Sequence, residues 1–297
     1  MRLIYALILT VIAALPARAE VDIQEVTSPG GITAWLVEEH SIPFVALEIR
    51  FRGGASLDAP GKRGAINLMT GLLEEGAGEM DARAFSRATE ALATNLSFDV
   101  SDDALSVSAR FLTENRAPSI DLLRVALQEP RFDEDAIERV RGQVISNIQS
   151  NQKDPNKIAQ QTFDRIAFGD HPYGSSLNGT LESVAGLTRD DLLAAHRAVL
   201  ARDRIIVGAV GDITPEELGQ MLDKLLGGLP AEGAPMPPRA EVDIPSGTTV
   251  VDFATPQSVA LFGQPGLAQD DPDWFTATVL NHVLGGGGFE SRLMTEV

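Results

Sequence analysis

Apolar and polar positions follow two rhythms along this chain, period two in some stretches and near 3.6 in others. Residues 31–37 and 44–51 read as strands. In the second, Val45, Leu47, Ile49 and Phe51 alternate with Ala46, Glu48 and Arg50, and Gly53-Gly54 ends the run. Ala65, Leu68, Met69, Leu72 and Leu73 then fall on one helical face, which Gly76 and Gly78 stop. Another helix is predicted near 82–93. Residues 95–100 and 105–111 alternate again around Ser101-Asp102-Asp103, which predicts a hairpin. Helices follow near 118–127 and 133–148. The latter opens on Asp133, a good N-cap, with Glu134 and Asp135 in the first turn facing the positive helix end. Thr188-Arg189-Asp190-Asp191 and Thr214-Pro215-Glu216-Glu217 open two more helices, the second as a capping box with Pro at its first position. Residues 204–210 form a strand between them.

Hairpins with paired helices imply an α+β fold, an antiparallel-rich sheet with helices packed on one face. Residues 229–247 are rich in Pro, Gly and Ala and read as an interdomain linker. The pattern then restarts, with strands expected at 250–251 and 259–262 and a helix at 273–284. Val259-Ala260-Leu261 echoes Val45-Ala46-Leu47, and Leu284 before its glycines echoes Leu72, a weak and gapped internal repeat. About fifty residues rarely make an independent core, so this second copy reads as truncated.

Residues 1–19 read as an address. Met1-Arg2 is positive, residues 3–15 are apolar but for Thr10, and Ala17-Arg18-Ala19 is an A-x-A cleavage pattern. The run is too short for a stable span, and no second run is long enough. The expected organisation is a signal peptide over 1–19, a first domain over 20–228, the linker over 229–247 and the start of a second domain over 248–297. The mature protein is expected to be exported, to a periplasm or beyond the cell, with no stable membrane span.

Of 297 residues, 24 are Lys or Arg and 42 are Asp or Glu, so the net charge is −18. Loss of Arg2 and Arg18 with the leader makes it more negative. No basic patch offers itself to nucleic acid. With no Cys, there is no disulfide, thiolate metal site or Cys nucleophile. Any transition-metal site must draw on His, Asp and Glu, and the four histidines are His40, His171, His196 and His282. His171, in His171-Pro172-Tyr173-Gly174, reads as part of a structural turn. His196 lies on an apolar helical stripe, His40 in a solvated loop, and His282 on an apolar helix in a packing role. Glu74-Glu75 reads as a solvated pair at a helix end that does not favour anions.

Several stretches in order resemble the pitrilysin/insulinase family of zinc metallopeptidases: Gly53 to Asp58 before the helix at Gly64, His171 to Gly174, Val207 to Ile213 with its capped helix and Leu229-Pro230, and Asn281 to Phe289 with Ser291-Arg292-Leu293. The resemblance implies tandem pitrilysin-like α/β domains, the second cut short. Catalytic members carry H-x-x-E-H on a helix. Positions i, i+3 and i+4 share a face, so two His ligate Zn²⁺ while the Glu reaches its bound water. A Glu from a later helix completes the site. The corresponding positions here are Asn67, Thr70 and Gly71, placed opposite the apolar stripe, with Asn147 beside Ser146 on the later helix. Asn and Thr are poor zinc ligands and Gly has no side chain to offer, so no metal and no catalytic residue are expected.

The resemblance then implies a non-catalytic subunit. Such members pair with a zinc-bearing catalytic subunit as a heterodimer around an unfolded peptide substrate. The loop Gly285, Gly286, Gly287 and Gly288 is a peptide-contacting candidate by the same analogy. It follows a helix, whereas a phosphate loop precedes one. Two rival readings stand beside this one: a structural or chaperone-like envelope protein on the same fold, and an active zinc endopeptidase with a displaced site.

Overall fold

The computed structural model describes residues 21–296; the expected leader, residues 1–19, lies outside them. In chain order come β1 (Gln24–Thr27), β2 (Thr33–Glu38), β3 (Phe44–Arg52), α1 (Ala65–Thr70), the small ribbon β4 (Gly76–Ala77) and β5 (Met80–Asp81), then α2 (Ala82–Ala91). The hairpin β6 (Asn95–Val100) and β7 (Ala104–Leu112) leads to α3 (Arg116–Gln128), α4 (Glu134–Asn151) and α5 (Pro155–Phe168). There follow α6 (Leu181–Ala185), α7 (Arg189–Val199), β8 (Ile205–Gly211), α8 (Pro215–Leu226), α9 (Trp274–Asn281) and α10 (Arg292–Glu296).

The chain forms two compact units, one made of the residues up to Ser150 with Ser176–Pro238, the other of Asn151–Ser175 with the residues from Arg239 on. The first holds a six-stranded sheet in the order β1-β2-β8-β3-β7-β6. Its pairs are antiparallel except β2 with β8. The period-two pattern explains which face is covered. Val45, Leu47, Ile49 and Phe51 of β3, Leu105 and Val107 of β7 and Val207 of β8 are buried against the helices. The opposite face stays open, with Trp35, Ile206 and Val210 exposed on β2 and β8. The helices bury apolar stripes at helical spacing; α8 contributes Leu218, Met221, Leu222, Leu225 and Leu226. Its Thr214–Glu217 capping box forms as the sequence implies.

The second unit contains α5, the turn Pro172–Gly174, α9 and α10. Asp154 caps α5, and the Asp243 amide donates to the Ala167 carbonyl at 3.0 Å. Residues 250–251 and 259–262 are not strands: among the described residues they have no ladder partner, and a strand is stabilised by its inter-strand bonds. The expected helix at 273–284 is α9 followed by a single π turn, His282–Gly286. Phe262, Phe275 and Phe289 are largely exposed. His282 is exposed too, contrary to its expected packing role. Among the described residues no helix is long and apolar enough to cross a membrane.

Two histidines of the first unit have pKa values shifted in opposite directions. His196 is buried, its Nε2 donates to the Leu127 carbonyl at 2.8 Å, and its ring meets Phe132 edge-on. Burial holds its pKa below the ordinary 6.5, against the pull of the Leu127 bond. The stability it contributes is therefore present above about 6.5 and is lost as pH falls toward the folded value. His40 bridges Asp212 (2.8 Å) and Glu38 (3.2 Å), and those bonds raise its pKa, Asp212 first. Its contribution is present below 6.5 and lost as pH rises through the folded value. A series of thermal melts from about pH 5 to about pH 8.5 should show His196→Gln flattening the acid side and His40→Gln flattening the alkaline side. The same slope change in both variants would refute this assignment.

Candidate functional site

The face singled out in the sequence belongs to α1, a helix of only six residues. Its amino end is capped from a distance. Asp58 accepts from the Gly64 amide (2.8 Å) and the Ile66 amide (2.8 Å), and lies 3.5 Å from the Arg63 guanidinium. Burial pushes the Asp58 carboxyl up, and the Ile66 and Gly64 amides and Arg63 oppose that push. Arg63 also reaches Asp102 in the β6–β7 turn.

The polar face of α1 is narrower than the sequence suggests. Asn67 is half-buried and donates its amide to Asn178 Oδ1 at 3.1 Å. Thr70, expected on the open side, is buried; its hydroxyl turns back to the Ile66 carbonyl at 2.7 Å. Ile66 is fully buried as well. The helix α1 packs against α7, and Asn178 of the segment 176–183 lies over Gly64 at its amino end. Gly71 is exposed, yet a Cβ there would lie 3.1 Å from Val140 Cγ1, so α1 and α4 nearly touch at this point. Arg139 of α4 also pairs with Glu75.

Asn147 lies two turns further along α4, about 10 Å down its axis, and is exposed like Ser146. Glu74 is held above the ordinary carboxylate range, first by partial desolvation and then by the charges of Glu75 and Asp99.

Asn67, Thr70, Gly71 and Asn147 together present two amides, a committed hydroxyl and, at Gly71, no side chain. That set does not fit Zn²⁺, which takes imidazole, thiolate or carboxylate. Among the described residues no three His, Asp or Glu side chains are gathered so as to hold a metal ion. His171 Nδ1 accepts from the Tyr173 amide at 3.2 Å, within the turn that the sequence implied.

The strand β6, which contacts α1, lies at one end of the sheet order; among the described residues no strand pairs with its outer edge. Leu96, Phe98 and Val100 point toward the helices and are only half-buried, while Asn95, Ser97 and Asp99 occupy the other side. In the second unit, Gly285 and Gly286 belong to the π turn, and Gly288, at φ +70°, opens a short turn to Glu290. Gly285, Gly286 and Gly288 are exposed and Gly287 is half-buried.

The family model described as insulinase (peptidase family M16) matches residues 34–181, and that of the peptidase M16 inactive domain matches residues 186–297. The chain belongs to peptidase family M16. This M16 chain is 30% identical over 261 residues to a protein of Helicobacter pylori named non-peptidase homolog YmxG, covering 88% of the chain and 60% of that relative. It is 26% identical over 282 residues to an uncharacterized zinc protease of Streptomyces coelicolor, covering 93% and 61%. The M16 chain thus spans about three fifths of the length of these curated relatives. The fold is that of the crystal structure of a peptidase M16 inactive domain from Pseudomonas fluorescens, with a TM-score of 0.76 at 24% identity over 93% of this chain and 67% of that one.

Asn178 and the Asp58–Arg63–Asp102 group escaped the sequence reading. Asn178-Gly179 signals a turn, but nothing in spacing links it to Asn67, 111 residues away.

Proposed function

We propose that this M16 chain is a zinc-free, non-catalytic subunit that holds an extended peptide for a zinc-bearing partner subunit. The observation that carries the reading is the donor set at Asn67, Thr70, Gly71 and Asn147, positions we take to be the degenerate metal site. The name of the Helicobacter relative, a non-peptidase homolog, points the same way; the Streptomyces relative's name points the other. Zinc in the partner would polarise the scissile carbonyl and activate a water. This chain's part is binding. The outer edge of β6 offers unpaired backbone amides and carbonyls to a peptide in strand conformation. The half-buried Leu96, Phe98 and Val100 would take alternate apolar side chains from it. The glycines 285–288 are a second candidate contact. Residues 1–19 act as a cleaved export signal, which places the pair in the periplasm or outside the cell.

The test is to purify the full chain, measure its zinc content, and mix it with its cognate H-x-x-E-H subunit. Co-elution and a rise in hydrolysis of an unstructured peptide over the partner alone are expected. Absence of both effects rejects the subunit role. Stoichiometric zinc with chelator-sensitive hydrolysis by this chain alone establishes the rival, a displaced active site.

A further inference from the structure

A structural role usually accompanies a metal's chemistry: an ion ligated from two helices also ties them together. With no such donors on α1, the stretch 176–183, a loop running into the start of α6, makes a different connection. Asn67 donates to Asn178 Oδ1 at 3.1 Å. The Asn178 carbonyl lies so close over Gly64 that a Cβ there would be 2.7 Å from its oxygen. Gly179, at φ +76°, sits against the Arg63 carbonyl, where a Cβ would be 2.2 Å away. Ser183 Oγ donates to the same carbonyl at 2.8 Å. The two glycines let these backbones meet, since any side chain at either position would force them apart. On its other side the segment is held by Asp58, through Gly64 and Ile66.

We infer that this clamp, with Asn178 as its positioning residue, takes the place of a metal ion as the strut that fixes α1. The inference rests on the zinc-free reading above. Its test combines thermal melts of the full chain with amide hydrogen exchange at residues 65–74. Neither zinc chloride nor EDTA should shift the wild-type melting temperature. Asn178→Ala should lower it and raise exchange across 65–74 several-fold, with less change in β3 and β7. Asn178→Asp keeps an acceptor for Asn67 and should retain the protection. Should Asn178→Ala fail to fold, Asn67→Ala removes the same bond from the opposite side and should show the same local loss. Unchanged exchange at 65–74 in the alanine variants, with melts still indifferent to zinc, overturns the strut and leaves the zinc-free reading standing. A wild-type melting temperature raised by zinc and lowered by EDTA overturns both.

Discussion

Replacing Arg204 with Ala should lower the unfolding free energy by about 3–4 kcal/mol, seen as an earlier urea midpoint at an unchanged m-value. The Arg204 side chain is almost wholly buried. Its guanidinium donates to the Ala198 carbonyl at 3.1 Å, to the Ala234 carbonyl at 2.7 Å, and to both oxygens of Asp203 at 2.9 and 3.0 Å. That contact with Arg204 is the first cause of the lowered Asp203 pKa. Truncation strands two carbonyls and removes the partner of a carboxylate. It also empties the space beside Gly233, where a Cβ would lie 2.6 Å from the guanidinium carbon. Arg204→Lys keeps the charge but not the planar fork, so an intermediate loss is expected. A drop under about 1 kcal/mol for Arg204→Ala would mean that water replaces these bonds without difficulty.

Asp58→Ala should be the second most damaging change, at about 3 kcal/mol by the same denaturation measurement. It uncaps α1 by freeing the Gly64 and Ile66 amides, and it leaves Arg63 with one carboxylate fewer. Because Asp58 holds the helix that bears Asn67 and ends at Gly71, the loss should be local before it is global. Exchange at 65–74 should rise in conditions where β3 and β7 remain protected. Uniform loss of protection across the first unit would show instead that α1 and the sheet open as one piece.

The core-facing halves of the strands were legible because alternation leaves little choice: Val45, Leu47, Ile49 and Phe51 all turn inward. The capping box at Thr214 was equally direct, and Thr188, read only as a helix opening, forms one too. What escaped is long-range. The short edge strand β1 is defined only by its pairing with β2, and the parallel union of β2 with β8 joins residues far apart in sequence. Residues 250–251 and 259–262 show the converse, since their β-prone composition makes no strand without a neighbour. At the candidate site the missing donors could be read from residue types alone. The burial of Thr70 could not, because α1 packs against elements distant in sequence, α7 among them.

Trp35, half-exposed on the open sheet face, and Trp274, at the start of α9, are the chain's two tryptophans, and they fall in different units. Each indole is therefore a private optical probe. Phe at one position leaves a fluorophore reporting on the other unit by itself, so two emission-detected melts on single-Trp proteins can tell whether the halves unfold in concert or in succession.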